Sequence, residues 1–236
     1  MVGPFDSARE YERVGDQFAQ LLKDRCGLRP DGRVLDAGCG CGQVAGPLTG
    51  YLTSGGYKGF DIQPVLIDWC REHITPAHPN FQFETADVFN RVYNPAGKVA
   101  PDKYRFSCEN ASVDCAIAKS LLTHMLPPEL ERYLAETARA LKPGGRCLIT
   151  YFLLNERSLK AVAARKSPME FDHFLGPCRT VDPDFPESAL AYDETFLFGA
   201  YEKVGLKIET PVHYGNWPER FDVMDFQDYV VARKQG

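Results

Sequence analysis

No apolar run in these 236 residues reaches membrane-spanning length, and the opening Met1-Val-Gly-Pro-Phe-Asp-Ser has neither the basic nor the apolar region of a secretory signal. The expected home is the cytoplasm, with no membrane partner. Basic runs are missing too. With a net charge of −5 the chain offers no phosphate-tracking surface, so no nucleic-acid partner is expected. Second cysteine pairs are absent: Cys39-x-Cys41 stands alone among eight scattered cysteines, without zinc-finger spacing, and no metal site is expected. Structural disulfides do not belong in a reducing compartment. Internal repeats and low-complexity tracts are also lacking. What is present is ordinary globular composition, 44% apolar and 25% charged, at a length that suits one α/β domain.

The stretch that stands out is Arg33-Val-Leu-Asp36-Ala-Gly38-Cys-Gly40-Cys-Gly42-Gln-Val-Ala45. It reads as a buried strand ending in an acid, a turn with glycine at every second position, and a helix start. Three glycines so close together point to unusual backbone angles or to bare backbone that a ligand approaches. Exposed N–H groups opening onto a helix N-terminus suit a polar or anionic ligand.

The remaining pattern alternates strands and helices. An amphipathic helix over 6–26 carries Tyr11, Val14, Phe18, Leu21 and Leu22 at helical spacing. Strand 1 covers 33–37 and a helix 43–53. Strand 2 covers 57–62, Pro64 opens a helix, and strand 3 covers 81–87. Residues 88–111 match no regular period. Strand 4 covers 112–119, and a helix with Leu130, Tyr133, Leu134 and Leu141 inward is stopped by Lys142-Pro-Gly-Gly145. The apolar run 146–154 is strand 5, fit for burial on both faces. A second irregular stretch, 155–192, holds a short helix over 159–165. A helix over 193–204 leads to strands 206–214 and 222–232, which must pair antiparallel because no helix separates them. The result is a parallel sheet with helices on both faces and a closing hairpin.

Gly40-x-Gly42-x-x-Ala45, with Asp61 further along, also fits a dinucleotide fingerprint and keeps a nicotinamide oxidoreductase open. Taken as a set, Asp36-x-Gly38-x-Gly40-x-Gly42, Asp61 after strand 2, Ala86-Asp87 after strand 3, Leu141-Lys-Pro-Gly-Gly145 before strand 5 and the final hairpin resemble the class I S-adenosylmethionine-dependent methyltransferases. The resemblance runs over nearly the whole chain from about residue 10, and its overall look is that of bacterial enzymes tailoring natural products or glycans. It implies a single α/β domain over 1–236 with a Rossmann-like, seven-stranded, mostly parallel sheet, and S-adenosylmethionine as cofactor. The implied cofactor-binding residues are Asp36, Gly38, Cys39, Gly40 and Gly42 in the turn, Asp61 and Ile62 after strand 2, Asp87 and Val88 after strand 3, and Lys119 and Ser120 after strand 4. Within that set Asp36 orders the turn and helps hold the ammonium end. Asp61 accepts both ribose hydroxyls, and Asp87 takes the adenine amino group beside Val88. Lys119 departs from the small or polar residue usual at its position.

For the reaction, methyl transfer to a hydroxyl needs an aligned nucleophile and a base, and His124, just after strand 4, is the candidate base. Tyr151, His173 (with Asp172), Tyr192, Asp193, Glu194, His213 and Tyr214 are the other polar candidates. No Asn/Asp-Pro-Pro-Tyr/Phe motif and no Pro-Cys nucleophile follows strand 4, which argues against amino methylation of adenine and C5 methylation of cytosine. The aromatic-rich stretches 88–111 and 155–192 read as a substrate cap over an apolar pocket. The expected acceptor is therefore a hydroxylated small molecule. N-methylation of a small amine and a catalytically silent methyltransferase-like scaffold are the alternatives.

Overall fold

The computed structural model describes residues 8–219 and 225–236; residues 6–7 of the expected first helix and 222–224 of the expected last strand lie outside them. In chain order the elements are α1 (Ala8–Asp24), β1 (Arg33–Ala37), α2 (Ala45–Leu48), β2 (Gly56–Asp61), α3 (Pro64–His73), β3 (Phe81–Thr85), β4 (Val113–Ala118), α4 (Pro127–Ala140) and β5 (Leu141–Tyr151). There follow β6 (Leu153–Leu154), α5 (Glu156–Ala163), β7 (His173–Leu175), β8 (Cys178–Thr180), β9 (Leu190–Asp193), α6 (Glu194–Lys203), β10 (Leu206–Ile208) and β11 (Asp228–Lys234). Seven strands form one sheet in the order β10-β11-β5-β4-β1-β2-β3. Only β11 runs against its neighbours, β5 and β10.

Strand residues alternate between two cores, which is why these strands read as continuous apolar runs. Leu35, Ala116, Ala118, Cys147, Ile149 and Val230 face a core closed by Leu130, Leu134 and Ala138 of α4 and Leu197 and Tyr201 of α6. Val34, Cys115, Ile117, Leu148 and Val231 face the other, closed by Ala19 and Leu22 of α1, Leu48 of α2 and Ile67 of α3. Helices thus cover both faces. The strand order reverses between β1 and β4, and open α/β sheets bind ligands in the crevice at such a switch point.

Four expectations need correction. The strand expected over 206–214 ends at Ile208. The helix expected over 43–53 is one short turn, α2, because Pro47 brings no N–H and Gly46 and Gly50 weaken the helix on either side; Leu48 and Leu52 are nevertheless buried. Strand β5 begins at Leu141, and Lys142-Pro-Gly-Gly145 forms an irregularity inside it, where the register with β4 slips between Val113 and Cys115. Gly144 takes a φ of 80° there. Residues 155–192 are not irregular throughout: β7, β8 and β9 join β6 in a second sheet ordered β6-β9-β8-β7. Strands of three or four residues are too short to leave an alternation in sequence. The buried carboxylate of Asp228 ties the two sheets together, accepting from Leu153 N at 2.7 Å, Trp217 Nε1 at 2.8 Å and Gly215 N at 2.8 Å.

Candidate active site

The glycine turn leaves the C-terminal end of β1 with φ of 73° at Gly38, 54° at Gly40 and 79° at Gly42, a region that disfavours any residue with a Cβ. Gly38 N and Cys39 N both donate to the Phe60 carbonyl, at 2.9 and 3.0 Å, so the turn is stapled to β2. At the end of β2, Asp61 Oδ2 accepts from Gly40 N and Oδ1 from Gln63 N, each at 3.0 Å. Open space surrounds the position where a Gly40 Cβ would stand, with no atom within 4 Å. On the outer side α1 lies directly on the turn. Gln43 Nε2 donates to the Tyr11 carbonyl at 2.9 Å, Tyr11 Oη and Cys41 Sγ are 3.0 Å apart, and a Cβ on Gly15 would collide with the Gln43 carbonyl.

Beneath the turn, Asp36 is 2% exposed and takes a hydrogen bond from the Tyr57 hydroxyl on Oδ2. Its Oδ1 is buried with no hydrogen-bond partner among the described residues. Burial pushes its carboxyl up to about 7, and the nearby charge of Asp61 pushes the same way, against the Tyr57 hydrogen bond and Lys119. Lys119, at the end of β4, is pushed down to about 8 by burial, against the attraction of Asp36, and its Nζ lies 5.5 Å from the Phe18 ring centre. Next to it Ser120 takes a φ of 52°, its N donates to Thr150 Oγ1 at 2.7 Å and its hydroxyl to Gln227 Oε1 at 2.8 Å. A non-glycine residue held in this conformation by two bonds is the kind of local strain found at functional sites.

These residues line one wall of a cavity of about 560 Å³, within the range of small-molecule pockets. His124 stands on another wall. Its Nδ1 is 2.8 Å from the Glu187 carbonyl; a carbonyl only accepts, so Nδ1 carries the proton and Nε2 the lone pair. Burial holds its pKa below the ordinary imidazole value, against the pull of the Glu187 and Ser188 carbonyls. A third wall holds a pair the sequence did not disclose. His213 Nε2 bonds Asp225 Oδ1, Asn216 Nδ2 donates to Asp225 Oδ2 at 2.7 Å, and the His213 ring stacks on Tyr229 with centroids 4.3 Å apart. His213 was visible as a polar residue, but its partner is 12 residues away and meets it only through the fold.

Of the residues expected to bind cofactor, Asp36, Gly38, Cys39, Gly40, Asp61, Ile62, Val88, Lys119 and Ser120 line this cavity, as does His124. Gly42 lies behind the turn, where a Cβ would press on Ile74 at 2.7 Å. Asp87 is exposed and is not among the lining residues, its Oδ1 accepting Lys98 N at 3.2 Å. Of the other polar candidates His213 lines the cavity, and the rest are elsewhere. Tyr151 Oη bonds Tyr201 Oη at 2.9 Å in the core, and the Tyr192 hydroxyl donates to the Leu122 carbonyl at 3.1 Å. Asp193 caps α6, and Tyr214 donates to Glu194 at 2.5 Å. Asp172 is paired with Arg165, and His173 opens β7 at the surface. Among the described residues no cluster of His, Cys, Asp or Glu could hold a metal ion, and no helix is long and apolar enough to cross a membrane.

The orphaned Asp36 Oδ1 and the bare backbone at Gly40 fit an ammonium-bearing, ribose-bearing ligand better than a pyrophosphate, since both carboxylates on this wall accept hydrogen bonds. Residues 34–145 match a family model described as a methyltransferase domain. Among curated proteins, a Gallus gallus tRNA N(3)-cytidine methyltransferase is 24% identical over 142 residues, 58% of this chain and 35% of the relative. The phthiotriol/phenolphthiotriol dimycocerosates methyltransferase of Mycobacterium leprae is 29% identical over 113 residues, 48% of this chain and 35% of the relative. The chain therefore matches about a third of the length of these relatives. Among solved structures, magnesium protoporphyrin IX methyltransferase from Synechocystis PCC 6803 with bound SAH aligns over 100% of this chain and 90% of its own, at 16% identity and a TM-score of 0.59. A SAM-dependent methyltransferase from Aquifex aeolicus aligns over 97% and 98%, at 17% identity and a TM-score of 0.58. At such identities the likeness is one of fold. Residues 34–145 thus carry the match to a methyltransferase domain, and the fold is shared with solved S-adenosylmethionine-dependent methyltransferases.

Proposed function

We propose that this chain transfers a methyl group to a hydroxyl of a small molecule. The observation that carries the reading is one cavity with two unlike walls: the glycine turn with the unpartnered Asp36 Oδ1, and His124 with its tautomer set by the Glu187 carbonyl. S-adenosylmethionine supplies an electrophilic methyl on a sulfonium that leaves without acid assistance. Asp36 Oδ1 and Lys119 would hold its amino-acid end, one for the ammonium and one for the carboxylate. Asp61, whose two backbone bonds leave lone pairs on both oxygens, would accept the ribose hydroxyls. Ile62 and Val88 would flank the adenine; Asp87, held by the Lys98 amide, is left out of this assignment. His124 Nε2 would take the hydroxyl proton as the oxygen attacks.

The stretches 88–111 and 155–192 supply the acceptor end. Phe89, Tyr93, Met169 and Ala189 line the cavity from those segments. The M. leprae relative is named for a non-nucleic-acid acceptor. A tRNA acceptor, as named for the G. gallus relative, is disfavoured by the net charge of −5 and the lack of basic runs in the sequence. Titration calorimetry tests the reading: S-adenosylhomocysteine binds in the micromolar range and NAD does not. Binding of neither would leave the scaffold alternative, and binding of NAD alone would reverse the cofactor assignment.

A further inference from the structure

The charged side chains that line the cavity sort into neighbours, with one remainder. Asp36 sits by Lys119, Asp225 by His213, and Asp61 is occupied by backbone N–H groups. Arg91 is turned to the second sheet, its guanidinium 4.5 Å above the Phe185 ring and bonded to the Asp184 carbonyl at 3.2 Å. Glu129 and Glu187 are left on the wall around His124, with no ion pair among the described residues. Glu129 Oε2 caps α4 by accepting Leu126 N at 2.8 Å; its other oxygen is not used in that cap. The two carboxylates are near enough that Glu187, after burial itself, helps to push the Glu129 carboxyl up.

A second, independent feature marks the same wall. Thr123, next to His124, is 1% exposed and lines the cavity, and its Oγ1 has no hydrogen-bond partner among the described residues. A buried hydroxyl without a partner is costly, and a ligand that bonds it relieves that cost. Tyr133, also on this wall and 3% exposed, offers an aromatic surface.

We propose that Thr123, Glu129 and Glu187 form an acceptor subsite for an ammonium group, so that the molecule methylated is an amine-bearing one. This rests on the methyl-transfer reading of the cavity and names its acceptor class. An ammonium has three donors and no acceptor, which matches two acceptor-only carboxylates and a hydroxyl free to accept. An aromatic face beside it adds attraction for a cation. A carboxylate or phosphate in the same place would meet two like charges.

The test uses three probes with the same phenol ring and different tails: tyramine (ammonium), tyrosol (neutral hydroxyl) and 4-hydroxyphenylacetate (carboxylate). Each is titrated into the full chain with and without S-adenosylhomocysteine. Tyramine is expected to bind at least about tenfold more tightly than tyrosol, and 4-hydroxyphenylacetate most weakly, the difference one charged hydrogen bond makes. Glu129→Gln and Glu187→Gln, which keep the shape and one acceptor oxygen, should each shrink that gap while S-adenosylhomocysteine affinity stays unchanged. Thr123→Val should weaken tyramine further. Equal binding of tyramine and tyrosol, preference for the carboxylate, or no binding of any probe overturns the proposal. Loss of S-adenosylhomocysteine binding in the unsubstituted protein overturns the methyl-transfer reading instead, and the amine preference is still read from the titrations without it.

Discussion

Gly40 donates its backbone N–H to Asp61 Oδ2 at 3.0 Å, and so the acid that ends β2 holds the turn that follows β1. One side chain thereby shapes the ligand's approach and offers it acceptors. Asp61→Ala removes both, and S-adenosylhomocysteine affinity should fall at least about tenfold, as hydrogen bonds to charged groups contribute about 1.5–3 kcal/mol. Asp61→Asn keeps one carbonyl oxygen and should fall between. Calorimetry reads both, and an unchanged affinity for Asp61→Ala would remove the ribose from this carboxylate.

Gly15 shows where contact overrides helix propensity. In an exposed helix, Gly→Ala gains about 0.5–1 kcal/mol. At Gly15, buried in α1 against the turn, the added Cβ would collide with the Gln43 carbonyl, so Gly15→Ala should lower the unfolding midpoint and weaken cofactor binding together. Gly46→Ala is the control: it is exposed in α2 with nothing within 4 Å of the new Cβ, and it should leave stability equal or higher. A stabilised Gly15→Ala in urea unfolding would mean that α1 is free to shift away from the turn.

How much of this was legible beforehand follows from the length over which each cause acts. The turn at Gly38–Gly42 and the acids Asp36 and Asp61 were readable because a positive φ and a strand-end position are local properties of a few residues. The bounds of β1 were read directly for the same reason, as Val34, Leu35 and Ala37 are buried between the exposed Arg33 and the glycine turn. The second sheet was invisible because β7 and β8 carry three residues each and the exposed face of His173–Leu175 has no pattern at all. Asp87 was placed by its position after β3, yet its direction is set by the Lys98 amide, 11 residues on in an irregular segment. The His213–Asp225 pair depends on how β11 returns beside residue 213, a long-range fact with no local trace. Lys119 looked anomalous at its position, and only the burial of Asp36 below it gives the ammonium a partner charge.

That buried pair should be visible as a pH dependence of stability in the ligand-free protein. The Asp36 carboxyl is raised to about 7 from its ordinary value, so between about pH 4 and 7 the folded state binds more protons than the unfolded chain, and stability falls as pH rises through that window. Lys119 is lowered to about 8, so from about pH 8 to 10.5 the unfolded chain binds more protons, and stability rises with pH there. Urea unfolding from pH 5 to 10 should therefore show Asp36→Asn flattening the fall on the acid side, by up to about 1.4 kcal/mol per pH unit, the limit for one proton. Lys119→Met should flatten the rise on the alkaline side. Unchanged slopes in both variants would mean that neither group is desolvated in the folded protein.

His124 gives a prediction on turnover, once an acceptor is in hand and S-adenosylhomocysteine release is followed. A general base must be neutral, and burial keeps the His124 imidazole below its ordinary value of about 6.5. The acid limb of kcat should therefore lie below about pH 6.5, with a plateau through neutrality. His124→Ala should cut kcat about 10²-fold or more and abolish that limb, with little change in cofactor affinity. His124→Gln separates the two roles of the ring: its amide N–H can still reach the Glu187 carbonyl, but it has no basic nitrogen. If His124→Gln restores kcat, the residue positions the wall beside Glu187 and does not take the proton. In that case the base falls to His213, whose ring is oriented by Asp225 on the same cavity, and His213→Ala should carry the loss instead.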